Sequence, residues 1–233
     1  MRLLLLLVLK STLVILPFTA ALTLGIFLAA CSPRLTHRPH HLAPISELGV
    51  NAFGLFVTGF TLTSIQMTVI IVAWWSLVRQ HLHQISQTSI LNHLSLILGL
   101  IAVVFCLLMA YTVNTSVKAH MTGAFGVFGL LVIYEFLQFI QLIRLRSKHS
   151  LYQDSYTIFA ILWIALCVLC GAISAGVWIG TFNSIPEYLA AGFPFVFSFA
   201  FAKYFWMDAR RTAKERRERA ELPTISSLAH LTK

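Results

Sequence analysis

Charged residues are scarce in this chain: only 11% of its 233 residues are Asp, Glu, Lys or Arg, against about a quarter in soluble domains. Acidic residues are the rarest, 8 against 17 basic ones, so the formal net charge is +9. Cysteine is limited to four residues, and no disulfide framework is predicted. These shortages exclude a soluble enzyme, a disordered regulator and a disulfide-rich secreted domain.

Hydrophobic residues make up 58% of the chain, and they form six stretches of the length that a membrane-spanning helix needs. The six stretches are about 11–30, 49–78, 94–114, 120–143, 156–182 and 188–206. The connections between them are short, so residues 1–207 are predicted to form one all-α, six-helix transmembrane bundle. Residues 208–233 are predicted to be a basic tail, helical at first and then disordered.

The distribution of Lys and Arg predicts the orientation. Six spans place both termini on one side, and that side carries 13 Lys and Arg residues against three on the other, with Lys10 left uncounted. Because positive residues accumulate in cytoplasmic loops, both termini are predicted to be cytosolic.

The first span could be either a membrane helix or a cleaved signal peptide, because Met1-Arg2 and the leucine run that follows resemble a signal peptide. Leu28 to Cys31 also resembles a lipoprotein cleavage box. The apolar stretch is long for a signal peptide and Lys10 interrupts it, so an uncleaved span is preferred.

Polar residues gather at the predicted non-cytosolic rim. Glu47 and Asn51 open the second span, His120 opens the fourth and Glu187 opens the sixth. Two interpretations stay open: a pH-sensitive polar lid of Glu47, His120 and Glu187, or simple capping and solvation of helix ends.

A second polar feature lies inside the fourth span, where hydrocarbon penalises charge. Glu135, Gln138 and Gln141 recur every three residues and form one stripe, which is predicted to face the bundle interior and bond across helices, with Gln66 as a partner. A protonated Glu135 would suit that role. A proton relay is the alternative hypothesis for Glu135.

Small residues mark a different surface of the same span. Gly123, Gly126 and Gly129 step by three, and Ala124 lies beside them. This row predicts a close approach to another helix, which is a packing role.

Metal and cofactor sites are not predicted. Six of the nine histidines fall in two loop groups, one of His37, His40 and His41 and the other of His81, His83 and His93, without the spacing or acidic ligands of a zinc site. Cys167 and Cys170 form a C-x-x-C pair within an apolar run and are interpreted as packing residues. No hydrolase, nucleotide or dinucleotide motif is present, so an enzyme is not expected.

Three short motifs carry a resemblance to a known family. They are P-I-S-E-L-G at 44–49, A-H-M-T-G-A-F at 119–125, and P-E-Y at 186–188 before an aromatic last span. Together they resemble the damage-regulated autophagy modulator (DRAM) family, within a superfamily that includes proteins of GPI-anchor lipid remodelling. The resemblance carries over Glu47, His120 and Glu187. The chain departs from many members in lacking a Pro-Pro-Glu, cysteine-bearing stretch after the first motif, and in having Glu135.

The resemblance implies a non-enzymatic membrane regulator of the autophagy and lysosome type. Lipid handling at the Golgi or plasma membrane, in GPI-anchor remodelling or phosphoinositide regulation, is the alternative, and a small proton-coupled transporter is the third hypothesis. The expected partners are the lipid bilayer, anionic lipids at the basic tail and proteins that the sequence does not identify. No cofactor, metal or nucleic acid is expected.

Overall fold

A computed structural model describes residues 2–32, 43–86 and 89–229. Within these ranges the chain is helical. The α-helices are α1 (Arg2–Cys31), α2 (Ile45–Asn51), α3 (Phe53–Gln84), α4 (Ile90–Thr112), α5 (Val117–Lys148), α6 (Ser155–Thr181), α7 (Ser184–Val196) and α8 (Ala202–Ala229). Two 3₁₀ segments, Ser150–Tyr152 and Phe197–Phe201, precede α6 and α8.

Six helical segments of the described chain are long and apolar enough to cross a membrane, which confirms the predicted all-helical, six-span bundle. The segments are α1, α3, α4, α5, α6 and the joined α7–α8. Each packs against the next one in the chain, and α1 closes the ring by packing between α3 and α8. We call the side that carries Lys10 and Asp208 the tail side, and the side that carries Ile45 and Glu187 the rim side.

The second and sixth spans are more irregular than hydropathy suggested. A separate short helix, α2, occupies the rim side before the long α3, and the two are divided at Ala52. The sixth span contains Pro194, which has no backbone N–H to donate to the carbonyl of Ala190. α7 ends two residues later, at Val196, and the chain then follows a 3₁₀ path over Phe197–Phe201. The sequence had predicted uninterrupted helix in both places.

Side chains of α6 satisfy carbonyl groups at this interruption. Trp163 donates its indole N–H to the carbonyl oxygen of Val196 at 2.9 Å, and the Tyr156 hydroxyl donates to that of Ala200 at 3.2 Å. Irregular backbone inside a membrane is stable only where other protein groups complete its hydrogen bonds. Contacts from α6 therefore stabilise the break in the sixth span.

On the tail side, α1 is joined to α8 by the charged residue that interrupts the first span. Lys10 Nζ lies 2.8 Å from Asp208 Oδ2 and 3.0 Å from Thr212 Oγ1. The pair gives Lys10 an acidic partner in an otherwise apolar helix. α8 then continues to Ala229, and residues 230–233 lie outside the described part.

A second ion pair on the tail side fixes the start of α6. Asp154 caps this helix by accepting from the Thr157 backbone N–H at 2.9 Å and from its hydroxyl at 2.8 Å, and it also pairs with Lys203 of α8. Burial alone would raise the pKa of Asp154, but the bonds from Lys203 and Thr157 outweigh it and hold that pKa below its usual value. Asp154 therefore stays ionised and links the fifth and sixth spans.

The small residues of the fourth span differ in what they contact. A Cβ atom on Gly123 would lie 2.5 Å from the backbone nitrogen of Met109 in α4, and one on Gly126 would lie 2.4 Å from the Phe105 ring. Ala124 is buried, whereas a Cβ on Gly129 would meet nothing within 4 Å. The close approach of α4 and α5 therefore depends on the rim-side end of the row.

Gly123→Ala is expected to destabilise the bundle, because the new methyl group would collide with α4 backbone. Overpacking of this kind costs about 1–3 kcal/mol. The measurement is the free energy of unfolding in detergent micelles. Gly129→Ala is the matched control and should change stability by less than about 1 kcal/mol. Equal effects of the two substitutions would contradict the close contact at Gly123.

Candidate functional site

The carboxylate of Glu187 holds α2 in place on the rim side. Glu187 is 6% exposed, and its Oε2 accepts the backbone N–H of Ile45 at 3.1 Å, with a further backbone bond from Ser46. The first N–H groups of any helix lack partners within that helix. Glu187 thus supplies an acceptor to the start of α2 from 142 residues away, and it joins the second-span region to the sixth span.

His120 makes a comparable contact between α5 and α4. It is 7% exposed, and its Nδ1 lies 2.8 Å from the carbonyl oxygen of Met109. A carbonyl oxygen can only accept, so Nδ1 carries a proton in this contact. His120 therefore links the fourth span to the end of the third, beside the close contact at Gly123.

His120 and Glu187 line one small cavity. The cavity has a volume of about 30 Å³ and is bounded by α2, α3, α4, α5 and α7, with Ser64 and Cys106 also on its wall. A water needs about 10–15 Å³ measured in this way, so the space suits about two waters. A lipid headgroup or acyl chain would need the surrounding helices to separate.

Glu47 and Asn51 do not join this cavity. Both are exposed on α2, and Asn51 Nδ2 donates to the backbone carbonyl of Glu47 at 2.9 Å. Of the rim residues identified from the sequence, the structure therefore brings together His120 and Glu187. The proposed three-residue lid of Glu47, His120 and Glu187 is not assembled in this arrangement.

The polar stripe of α5 is buried along its whole length. Gln138 Oε1 accepts the indole N–H of Trp74 at 2.7 Å, and Gln141 Nε2 donates to the Ser95 hydroxyl at 3.0 Å. Glu135 is 0% exposed, and neither of its oxygens has a hydrogen-bond partner within the described ranges. The stripe thus bonds to α3 and α4 at two positions out of three.

The partner expected for the stripe, Gln66, is not the one used. Its Oε1 has no hydrogen-bond partner among the described residues, and Trp74, two turns further along α3, contacts Gln138 instead. Trp74 also stacks on Phe201 of the sixth span with ring centroids 4.0 Å apart. A buried indole N–H usually has an acceptor, and this signal points to the Trp74–Trp75 pair in the sequence without distinguishing its two members.

The histidines lie elsewhere than predicted. His81 and His83 belong to the last turn of α3 and His93 to the first turn of α4, rather than to a loop. His81 Nδ1 lies 2.7 Å from the hydroxyl of Tyr152, a tail-side contact that no sequence motif indicates. Across the described residues no three His, Cys, Asp or Glu side chains are grouped as metal ligands would be. The first histidine group, 37–41, lies outside those residues.

The family comparison covers almost the whole bundle. A family model described as the Frag1/DRAM/Sfk1/Cwh43P N-terminal domain matches residues 3–210. No curated protein and no solved structure is similar enough to match.

Gln138→Leu is expected to lower the free energy of unfolding, because it leaves the Trp74 indole N–H buried without an acceptor. The cost of such a group is about 1–3 kcal/mol. Trp74→Phe removes the donor, so the double variant should be more stable than the sum of the two single losses predicts. Unfolding of all four proteins by denaturing detergent gives this coupling, and strictly additive losses would contradict the bond.

Proposed function

Because the chain belongs to the Frag1/DRAM/Sfk1/Cwh43P family, matching its N-terminal domain over residues 3–210, we propose that it is a non-enzymatic regulator of autophagy or lysosomal membranes. It is an integral membrane protein. We further propose that the tail side faces the cytosol, in line with its excess of Lys and Arg.

One observation carries this proposal: the buried rim residues that could perform chemistry are instead engaged in joining helices. Glu187 bonds to the backbone at Ile45, and His120 bonds to the backbone at Met109. Their shared cavity of about 30 Å³ is too small for a lipid or peptide substrate. The arrangement fits a regulator whose rim controls how the helices sit, and whose partners act at the bundle surface.

Glu187→Ala tests this role of the rim, with Glu47→Ala as the matched control. Both substitutions remove a glutamate from the rim side, but only Glu187 bonds to α2. In cells lacking the protein, re-expressed wild type and Glu47→Ala should restore autophagic flux equally, and Glu187→Ala should restore less than half as much at equal membrane expression.

Two further measurements belong to this experiment: the localisation of the protein and the surface level of GPI-anchored proteins. The tagged wild-type protein should co-localise with lysosomal markers, and the surface level of GPI-anchored proteins should not change when the protein is lost. Unchanged autophagic flux after loss of the protein would overturn the proposed function. Equal rescue by the two alanine variants would overturn the assigned role of Glu187.

A second candidate function, lipid handling, is favoured by a groove on the tail side. The groove has a volume of about 440 Å³ and lies between α1, α3 and α8. Lys10, Gln80 and Asp208 lie at its tail-side end, and Val69 and Val72 line the part that runs towards the middle of the span. The charged groups lie at one end, and the rest of the lining is mainly apolar with Thr68 and Ser76 among it, which matches the two parts of a membrane lipid.

Filling the groove tests the second candidate. Ala73→Trp places a large side chain in the groove, whereas Ile173→Trp places one on the exposed surface of α6. If the protein handles lipid, the first variant should change phosphoinositide or GPI-anchor lipid composition towards that of cells without the protein, and the second should not. Identical lipid profiles in cells with and without the protein would reject this candidate.

A further inference from the structure

Glu135 is the most deeply buried acidic residue described in the bundle. Its exposed fraction is 0%, and both carboxyl oxygens lack a hydrogen-bond partner among the described residues. The other members of its stripe, Gln138 and Gln141, do have partners on neighbouring helices. A buried polar group that the fold leaves unsatisfied calls for an explanation.

The level of Glu135 along the bundle can be located from the contacts around Gly171, which lies about one helical turn away. A Cβ atom on Gly171 of α6 would lie 3.7 Å from Phe193 Cβ of α7 and 4.0 Å from Val132 Cγ2 of α5. These three residues mark one level where α5, α6 and α7 meet. One turn towards the tail side, the corresponding residues are Glu135, Cys167 and Phe197.

That level is where the sixth span is interrupted. α7 ends at Val196 and the 3₁₀ segment begins at Phe197. The ring of Phe197 contacts that of Tyr134, the residue beside Glu135, with centroids 5.8 Å apart. Glu135 therefore lies at the same level of the bundle as the described place where the last span departs from α-helical geometry.

The groups that face Glu135 cannot neutralise a negative charge. The titratable groups within electrostatic range are Cys167 on α6 and Tyr134 on α5 itself, and both are neutral hydrogen-bonding groups or potential anions. None of the ion pairs in the described chain includes Glu135. A charge in a membrane interior without a partner is strongly disfavoured, and a bound proton removes that charge.

We propose that Glu135 is a proton-binding site in the membrane interior, occupied at neutral pH and coupled to the break in the sixth span. The ligand is a proton, held by the carboxyl group. Loss of the proton creates a charge beside the break, which only water or a moved backbone can solvate, so the two states favour different shapes of the 3₁₀ segment. This site is separate from the His120–Glu187 cavity and does not depend on the proposed regulatory function.

Infrared spectroscopy of the full chain in lipid vesicles tests the protonation. The wild type should show the carbonyl band of a protonated carboxyl at neutral pH, and Glu135→Gln should lose it. Glu47→Gln, which alters an exposed carboxylate, should retain the band. Glu135→Asp keeps a carboxyl and should retain a shifted band if the glutamine variant fails to fold. Absence of the band in the wild type, or its persistence in a folded Glu135→Gln protein, would overturn the proposal.

Tryptophan fluorescence tests the coupling, because Trp163 bonds to the carbonyl of Val196 at the start of the break. Raising the pH should shift the wild-type emission as the 3₁₀ segment moves. Glu135→Gln should abolish that shift, and Trp163→Phe should reduce it, because Trp74, which stacks on Phe201 of the same segment, still reports the movement. Trp178→Phe, which alters a tryptophan near the rim side, should keep it. A pH shift that survives in Glu135→Gln, or a wild-type emission that does not respond to pH, would show that the carboxyl is not coupled to the break.

Discussion

The hydrogen bond from Trp74 to Gln138, 2.7 Å long and buried, shows the constraint on which the rest of this structure depends. Hydrocarbon provides no hydrogen-bond partner, so a buried donor such as the Trp74 indole N–H is stable only where the protein itself supplies an acceptor. Trp74 also stacks on Phe201, and this single side chain therefore joins the second, fourth and sixth spans.

The sixth span is held by side-chain contacts at both of its ends. At its rim end Glu187 holds α2, and at its tail end Asp208 and Lys203 pair with Lys10 and Asp154. Between these fixed ends the helix is interrupted after Pro194, and side chains of α6 complete the hydrogen bonds that the interruption leaves. A span fixed at both ends and irregular in the middle can change shape without leaving its neighbours.

The candidate site was predictable in part. His120 and Glu187 were assigned to one membrane depth because each opens a span on the same side, and the structure has both lining one cavity. Glu47 was grouped with them on the same argument, but it lies on the exposed face of α2. Depth follows from position along a helix, whereas the direction of a side chain depends on how the helix is rotated by its packing. The partners Ile45 and Met109 contribute backbone atoms, which no pattern of side chains reveals.

The sequence by itself determined the class of this protein. Six long apolar stretches and few charges leave a helical membrane bundle as the available fold, because hydrocarbon excludes unpaired backbone groups. The inward-facing stripe of Glu135, Gln138 and Gln141 follows from the same physics. The tertiary structure alone decided the separate helix α2, the interruption of the sixth span and the choice of Trp74 over Gln66. These features depend on contacts between residues far apart in the chain, and hydropathy, which sums local transfer energies, carries no information about them.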